Sequence, residues 1–252
     1  MIDLAPVVRL ALLLVRPGVL IAAAPPLGGM YVPAMVKIAL SGMLALALVP
    51  VVPWPASLEP AGVSLVLARE AMIGLALAFT VRLVLAGAEL AGQLTGFQIG
   101  FAYASVADPQ TGARNGVIAS LYSSLTILVF LAIDGHHLLL RALVRSYAAL
   151  PPGIGGVDAG LASLVARMLG FIIVFGVQLA VPIVLALLVV EVAMGLVSRA
   201  APALNLMTLS FPLRVIAGMV VLVAAIGVVP GVVESALPRA LALATRVAHA
   251  LR

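Results

Sequence analysis

Seven windows of this chain run without a single Asp, Glu, Lys or Arg: residues 17–36, 38–58, 71–81, 90–107, 115–133, 168–190 and 215–233. A helix that crosses a bilayer needs ~20 apolar residues, so five or six of these segments have the length to span. No polar stretch between them exceeds a loop, which leaves no room for a large soluble domain. The chain therefore reads as an all-α membrane protein, with about six long apolar helices forming kinked hairpins. Composition agrees: 64% of the 252 residues are hydrophobic and 9% charged, against ~45–50% and ~25% in soluble domains.

The formal net charge is +5, but the basic residues are scattered singly. Without a Lys/Arg run or an aromatic-rich basic patch, nucleic-acid binding is not expected. There is no cysteine, which excludes disulfides, thiol catalysis and thiolate metal sites together. Ala22 to Ala24 resemble a signal-peptide cleavage site, yet Asp3, Arg16 and Pro25 are wrong for one, and an uncleaved first helix is expected.

Prolines divide the apolar windows. Pro25, Pro26 and Pro33 separate the first two helices, and Pro50, Pro53, Pro55 and Pro60 end the second. Trp54 stands at that end, where an interfacial anchor belongs. The clearest loop is LPPGIGGVD, residues 150–158, which divides the chain near residue 160. Pro182 should kink or split the long apolar run from Leu161 to Val197, and Pro202 and Pro212 bracket a second irregular stretch. From Glu234 to Arg252, arginines alternate with Leu237, Leu241, Leu243 and Val247, as in a short amphipathic helix at a membrane surface or on a partner.

The stretch from Gly87 to Pro109 behaves unlike its surroundings. Gly92, Gly96 and Gly100 recur every fourth residue and would form one bare ridge on a helix, suited to close helix packing. Gln93 and Gln98 place amides where lipid would punish them, and Ala107-Asp108-Pro109 then stops any helix. Irregular polar backbone at membrane depth survives only against protein or water, so this element belongs inside an assembly or along a conduit. Arg9, Arg16, Arg69, Glu70, Arg82, Glu89, Arg167, Glu191 and Arg199 also lie in or beside apolar helices. Each would cost ~2.5–3.5 kcal/mol at a helix centre, so pairing, snorkelling or burial against protein is expected. Arg82 and Glu89, two turns apart, share a helix face and read as buried charges.

Catalytic constellations are missing. Asp134, His136 and His137 form the one histidine cluster, but neighbouring side chains on a helix point apart and no HExxH spacing accompanies them, so no metal site is expected. Ser120, Ser123, Ser124 and Thr126 lack a base nearby in sequence and suit helix–helix hydrogen bonding instead. No cofactor motif is present. An enzyme is not expected.

Four ordered motifs resemble one family over the whole chain: the flagellar biosynthetic protein FliR family, the SctT class of injectisomes. They are RPGVLIAAAPPLGGMYVPAMVK at residues 16–37, the Ala91–Pro109 pattern AGxxxGxQxGxxxAxxxDP, DGHHLLLRALVRSYAALPPG at 134–153, and GLVSRAAPALNLMTLSFPL at 195–213. Departures are small: two histidines follow Gly135, and Arg145 stands where the helix is more often neutral. The resemblance implies a type III secretion export-gate subunit, one copy in a hetero-oligomer with FliP-like and FliQ-like membrane subunits and in contact with an FlhB-like switch protein. Unfolded export substrates would pass the gate, in the bacterial inner membrane at the flagellar basal body or injectisome base. It implies a FliP-like part over residues 1–160, a FliQ-like helical hairpin over 161–233 and the amphipathic helix over 234–252. A gate or plug loop would fall near 103–115, with Asp108, Pro109 and Gly112 shaping it and Phe97, Phe101 and Tyr103 sealing the closed channel. The rival reading is a small multi-span secondary transporter, which needs internal repeats and a midplane substrate site; neither is evident.

Overall fold

The computed structural model describes residues 5–29, 32–52, 63–101, 116–152, 161–200 and 206–250, and the described residues are helical with short turns. The helices are α1 (Ala5–Ala23), α2 (Ala34–Leu48), α3 (Val63–Ile99), α4 (Val117–Ala132), α5 (Gly135–Ala149), α6 (Leu161–Ala200), α7 (Leu206–Ile226) and α8 (Val229–His249). They form two compact units that interleave along the chain. One takes Met1–Leu83, Phe130–Gly170 and Leu237–Arg252; the other takes Val84–Val129 and Phe171–Ala236.

In the first unit, α1 and α2 are joined by a turn that its own residues lock. The Ala24 N–H donates to Leu20 O and the Gly28 N–H to Ala24 O. A side chain at Gly28 would collide with the Ala22 carbonyl, so only glycine fits. Lys37 Nζ, one turn into α2, donates to Gly28 O at 3.0 Å and Gly29 O at 3.1 Å. At the other end of α2, Arg9 Nη2 donates to Val49 O at 2.6 Å and Val52 O at 3.1 Å. A cation over the carbonyls that end a helix satisfies orphan acceptors and meets the negative pole of the helix dipole.

The apolar windows overcount the spans, because windows 17–36 and 38–58 run straight through turns. Among the described residues two helices qualify by length and hydropathy, Val63–Ile99 and Ala166–Ala200, and two bent pairs qualify jointly. One pair is α4 with α5, bent by 66°; the other is α7 with α8, bent by 59°. The first bend is made by Asp134, in the left-handed region at φ 57°, and by Gly135, where a Cβ would collide with the Phe130 ring. At 1.5 Å per residue, α3 and α6 are ~55 and ~60 Å long, well beyond a ~30 Å hydrocarbon core.

Pro182 does not split its helix. α6 continues through it for 40 residues, since a proline removes one intrahelical hydrogen bond and apolar helices tolerate that loss where neighbours compensate. Pro212, expected to bracket an irregular stretch, likewise lies inside α7. The C-terminal amphipathic helix starts earlier than expected, at Val229.

Candidate functional site

The first unit is centred on an ion pair. Arg16 on α1 donates from Nε to Glu70 Oε2 at 2.6 Å and from Nη2 to Glu70 Oε1 at 2.8 Å. Its Nη1 donates to Ser146 Oγ and its Nη2 also to Leu150 O, both at 2.9 Å. Both side chains are 0% exposed. The planar fork matches the carboxylate two-to-two, and the guanidinium also lies 4.0 Å above the Tyr147 ring. Close backbone approach makes this reach possible: Gly74, one turn after Glu70, faces Arg16 O, which a Cβ would meet at 2.6 Å.

A second contact explains Pro17. Proline has no N–H, so the carbonyl four residues earlier, that of Leu13, loses its helical donor. The buried Tyr147 hydroxyl donates to Leu13 O at 3.0 Å. The gap in the α1 ladder is thus closed from α5. In the sequence Arg16 and Glu70 stand out as costly charges but not as a pair; they are 54 residues apart and no spacing rule joins them. Pro17 within a helix is the one available signal that a donor must arrive from elsewhere.

The second unit is built on glycine. Gly92 packs against Ala119 so closely that a Cβ would collide with its Cα, whereas a Cβ at Gly96 would sit 3.6 Å from Ile118, an ordinary contact. Gly100 has a different role from the ridge expected of it. It follows α3 with φ 105°, and its N–H donates to Gly96 O and Phe97 O, which is how a glycine ends a helix. Gly87 on Phe175, Gly218 on Ile99 and, less tightly, Gly176 on Leu90 are further close approaches, and the fourfold spacing does not point to them.

Polar groups cluster at the same end of α3. Gln98 Nε2 donates to Glu191 Oε1 at 3.2 Å, and Arg214 Nη2 reaches that oxygen at 2.9 Å. Glu191 and Arg214 are 33% and 34% exposed. Phe97 and Phe101 are exposed and line, with Gly92, Gly96, Val117 and Ile118, an open cavity of about 340 Å³. Tyr103, Asp108, Pro109 and Gly112 lie outside the described residues.

Within the chain, Arg82 is exposed and Glu89 half-buried. They do not meet: Arg82 Nε donates to Ala23 O at 3.1 Å, while Glu89 Oε1 accepts from Ser123 Oγ at 3.2 Å. Among the described residues the chain's own burial falls on Arg16, Arg69 and Glu70 instead. Of the four-residue hydroxyl patch on α4, Ser123 thus makes an interhelical bond, and Thr126 is buried. His136 and His137 do not point apart; their ring centroids are 4.3 Å apart, because Asp134 at the bend accepts from His137 at 3.2 Å. One ligand atom from each of the three lies within 4.8 Å of the others on an exposed turn.

Long apolar helices, with Arg16 paired to Glu70, Arg214 to Glu191, and Arg9, Lys37 and Arg82 on backbone carbonyls, define a polytopic helical membrane protein. The family model for bacterial export proteins, family 1, matches residues 7–240. The flagellar biosynthetic protein FliR of Bacillus subtilis is 30% identical over 217 residues, covering 84% of this chain and 83% of that protein. FliR of Pectobacterium carotovorum is 32% identical over 217 residues, with 85% and 83% covered. FliR of Escherichia coli is 32% identical over 207 residues, with 82% and 79% covered. The chain belongs to family 1 of the bacterial export proteins.

Proposed function

We propose that this chain is the FliR-type subunit of the flagellar type III export gate, one copy in a hetero-oligomer with FliP-like and FliQ-like subunits in the bacterial inner membrane. Contact with an FlhB-like switch protein and passage of unfolded export substrates belong to the same reading. The names of the relatives supply its flagellar part. The observation that carries the assembly part is the half-exposed Glu191, held by Arg214 and Gln98 on a helix whose other exposed residues include Leu185, Leu188, Val189 and Val192. Charges at that exposure are costly against lipid and comfortable against protein or water. The apolar faces of α6 and α7 and the open Phe97–Phe101 cavity are then docking surfaces for partner subunits, which also bury Arg82 and Glu89.

On this reading residues 1–160 play the FliP-like part, 161–233 the FliQ-like hairpin and 234–252 the terminal helix. Gly92 and Gly96 are packing positions, Phe97 and Phe101 help seal the closed conduit, and Tyr103, Asp108, Pro109 and Gly112 belong to the plug loop. Co-expression with FliP-like and FliQ-like partners tests the assembly: the chain should co-purify with both. Gly96→Leu and deletion of residues 108–112 test the gate. If neither change alters assembly or secretion, the gate reading is lost.

A further inference from the structure

The first unit holds a cavity of about 210 Å³ between α5 and α8, closed at its base by the buried Leu77 of α3. Arg141 and Arg145, one turn apart on α5, and His249, in the last turn of α8, stand on its wall. No Asp or Glu lines it. Neither arginine has a hydrogen-bond or ion-pair partner among the described residues. Like charges four residues apart on one helix repel each other, so this pair is unfavourable unless an anion sits between them. Thr245 already gives its hydroxyl proton to Ala242 O at 3.0 Å, and Ser146 gives its own to Leu143 O at 2.7 Å. The donors left facing the space are therefore the two guanidiniums and a His249 ring N–H.

The rest of the wall is apolar, with Leu138 and Leu241 beside Leu77. A cationic rim over an apolar base suits an amphiphile with an oxyanion at its head. We propose that this cavity binds the phosphate headgroup of an anionic phospholipid, with Arg141 and Arg145 on the phosphate and an acyl chain along the leucine wall. Guanidiniums suit this role because their planar fork can give two parallel hydrogen bonds to phosphate oxygens. A free inorganic phosphate shares the headgroup chemistry but gains nothing from the leucines. Ser146 and Leu150 line the cavity and also bind Arg16, so an occupied site abuts the central ion pair.

The test uses the full chain, purified in a zwitterionic detergent without partner subunits. Binding is read by native mass spectrometry and by thermal stability during titration with phosphatidylglycerol, phosphatidylcholine or inorganic phosphate. Phosphatidylglycerol should be retained and should raise the melting temperature; the other two, at equal concentration, should not. Arg141→Gln with Arg145→Gln should weaken phosphatidylglycerol binding at least tenfold, while R141K/R145K keeps most of it. The control R167Q/R199Q removes the same charge from exposed positions on α6 and should leave binding within twofold. Melting temperatures without lipid report whether each variant is folded. Equal loss in the control would show a general charge effect, and equal protection by inorganic phosphate would show a bare oxyanion site; either overturns the proposal. Unchanged lipid binding in R141Q/R145Q would overturn it as well.

Discussion

Two ion pairs, one in each unit, show what the chain completes alone and what it leaves open. Arg16–Glu70 is fully buried, two-pronged and backed by Ser146, Leu150 O and the Tyr147 ring. Glu191–Arg214 is one-pronged, a third exposed and supported by one amide. Burial removes water as an alternative partner, so the first pair must be satisfied within the fold. The second can exchange partners, because solvent or another subunit can reach it. The first pair therefore belongs to the folding of the chain, and on the proposed reading the second belongs to its assembly.

The largest effect should come from breaking the buried pair. Arg16→Ala leaves Glu70 charged and unpaired, and should destabilise the purified chain by ~3–5 kcal/mol, read as loss of folded monodisperse protein. The double replacement R16M/E70L should recover much of that, since it leaves neither member of the pair buried without the other. Retained folding in R16A would erase the contrast between the two pairs.

Next is the glycine contact in the second unit. Gly92→Ala forces a methyl into Ala119 and should cost ~1–3 kcal/mol, as overpacking does. Gly96→Ala has room at 3.6 Å and should be neutral or gain up to ~1 kcal/mol from helix propensity. Equal melting temperatures for the two variants would show that the ridge is not a tight contact at Gly92.

A smaller effect tests the proline repair. Tyr147→Phe leaves Leu13 O without a donor and should cost ~1–2 kcal/mol. In a Pro17→Ala background the backbone N–H restored at that position can take over, so the same change should cost less. Additive losses across this double-mutant cycle would uncouple Tyr147 from Pro17.

The smallest effect on the isolated chain should come from the exposed pair. Glu191→Gln should change its stability by no more than ~1 kcal/mol, while co-purification with partner subunits falls. A large loss in the isolated chain, with assembly intact, would reverse the roles assigned to the two pairs.

The sequence shows the helices better than it shows the ties between them. Charge-free windows locate α3 and α6 because membrane-grade hydrophobicity is a local property. Pro182 does not split α6, because the loss of one hydrogen bond does not by itself end a helix. Gly92 is legible from small-residue spacing, but Gly176 and Gly218 have no glycine four residues away and meet partners far away in sequence. Arg16 and Glu70 look like two separate liabilities until α1 and α3 are brought together at Gly74. Arg82 and Glu89 look like a pair because heptad spacing is visible in sequence, while the separate partners at Ala23 and Ser123 are not.

The lengths of α3 and α6 bear on the fate of an orphan copy. Rods nearly twice as long as a ~30 Å hydrocarbon slab must tilt steeply or deform the lipid around them, and each ångström of misfit is resisted. A newly made copy with no companions is therefore an uncomfortable guest in the bilayer. On the proposed assembly partner subunits would shield these helices, so a copy made without them should be cleared faster than one made with them.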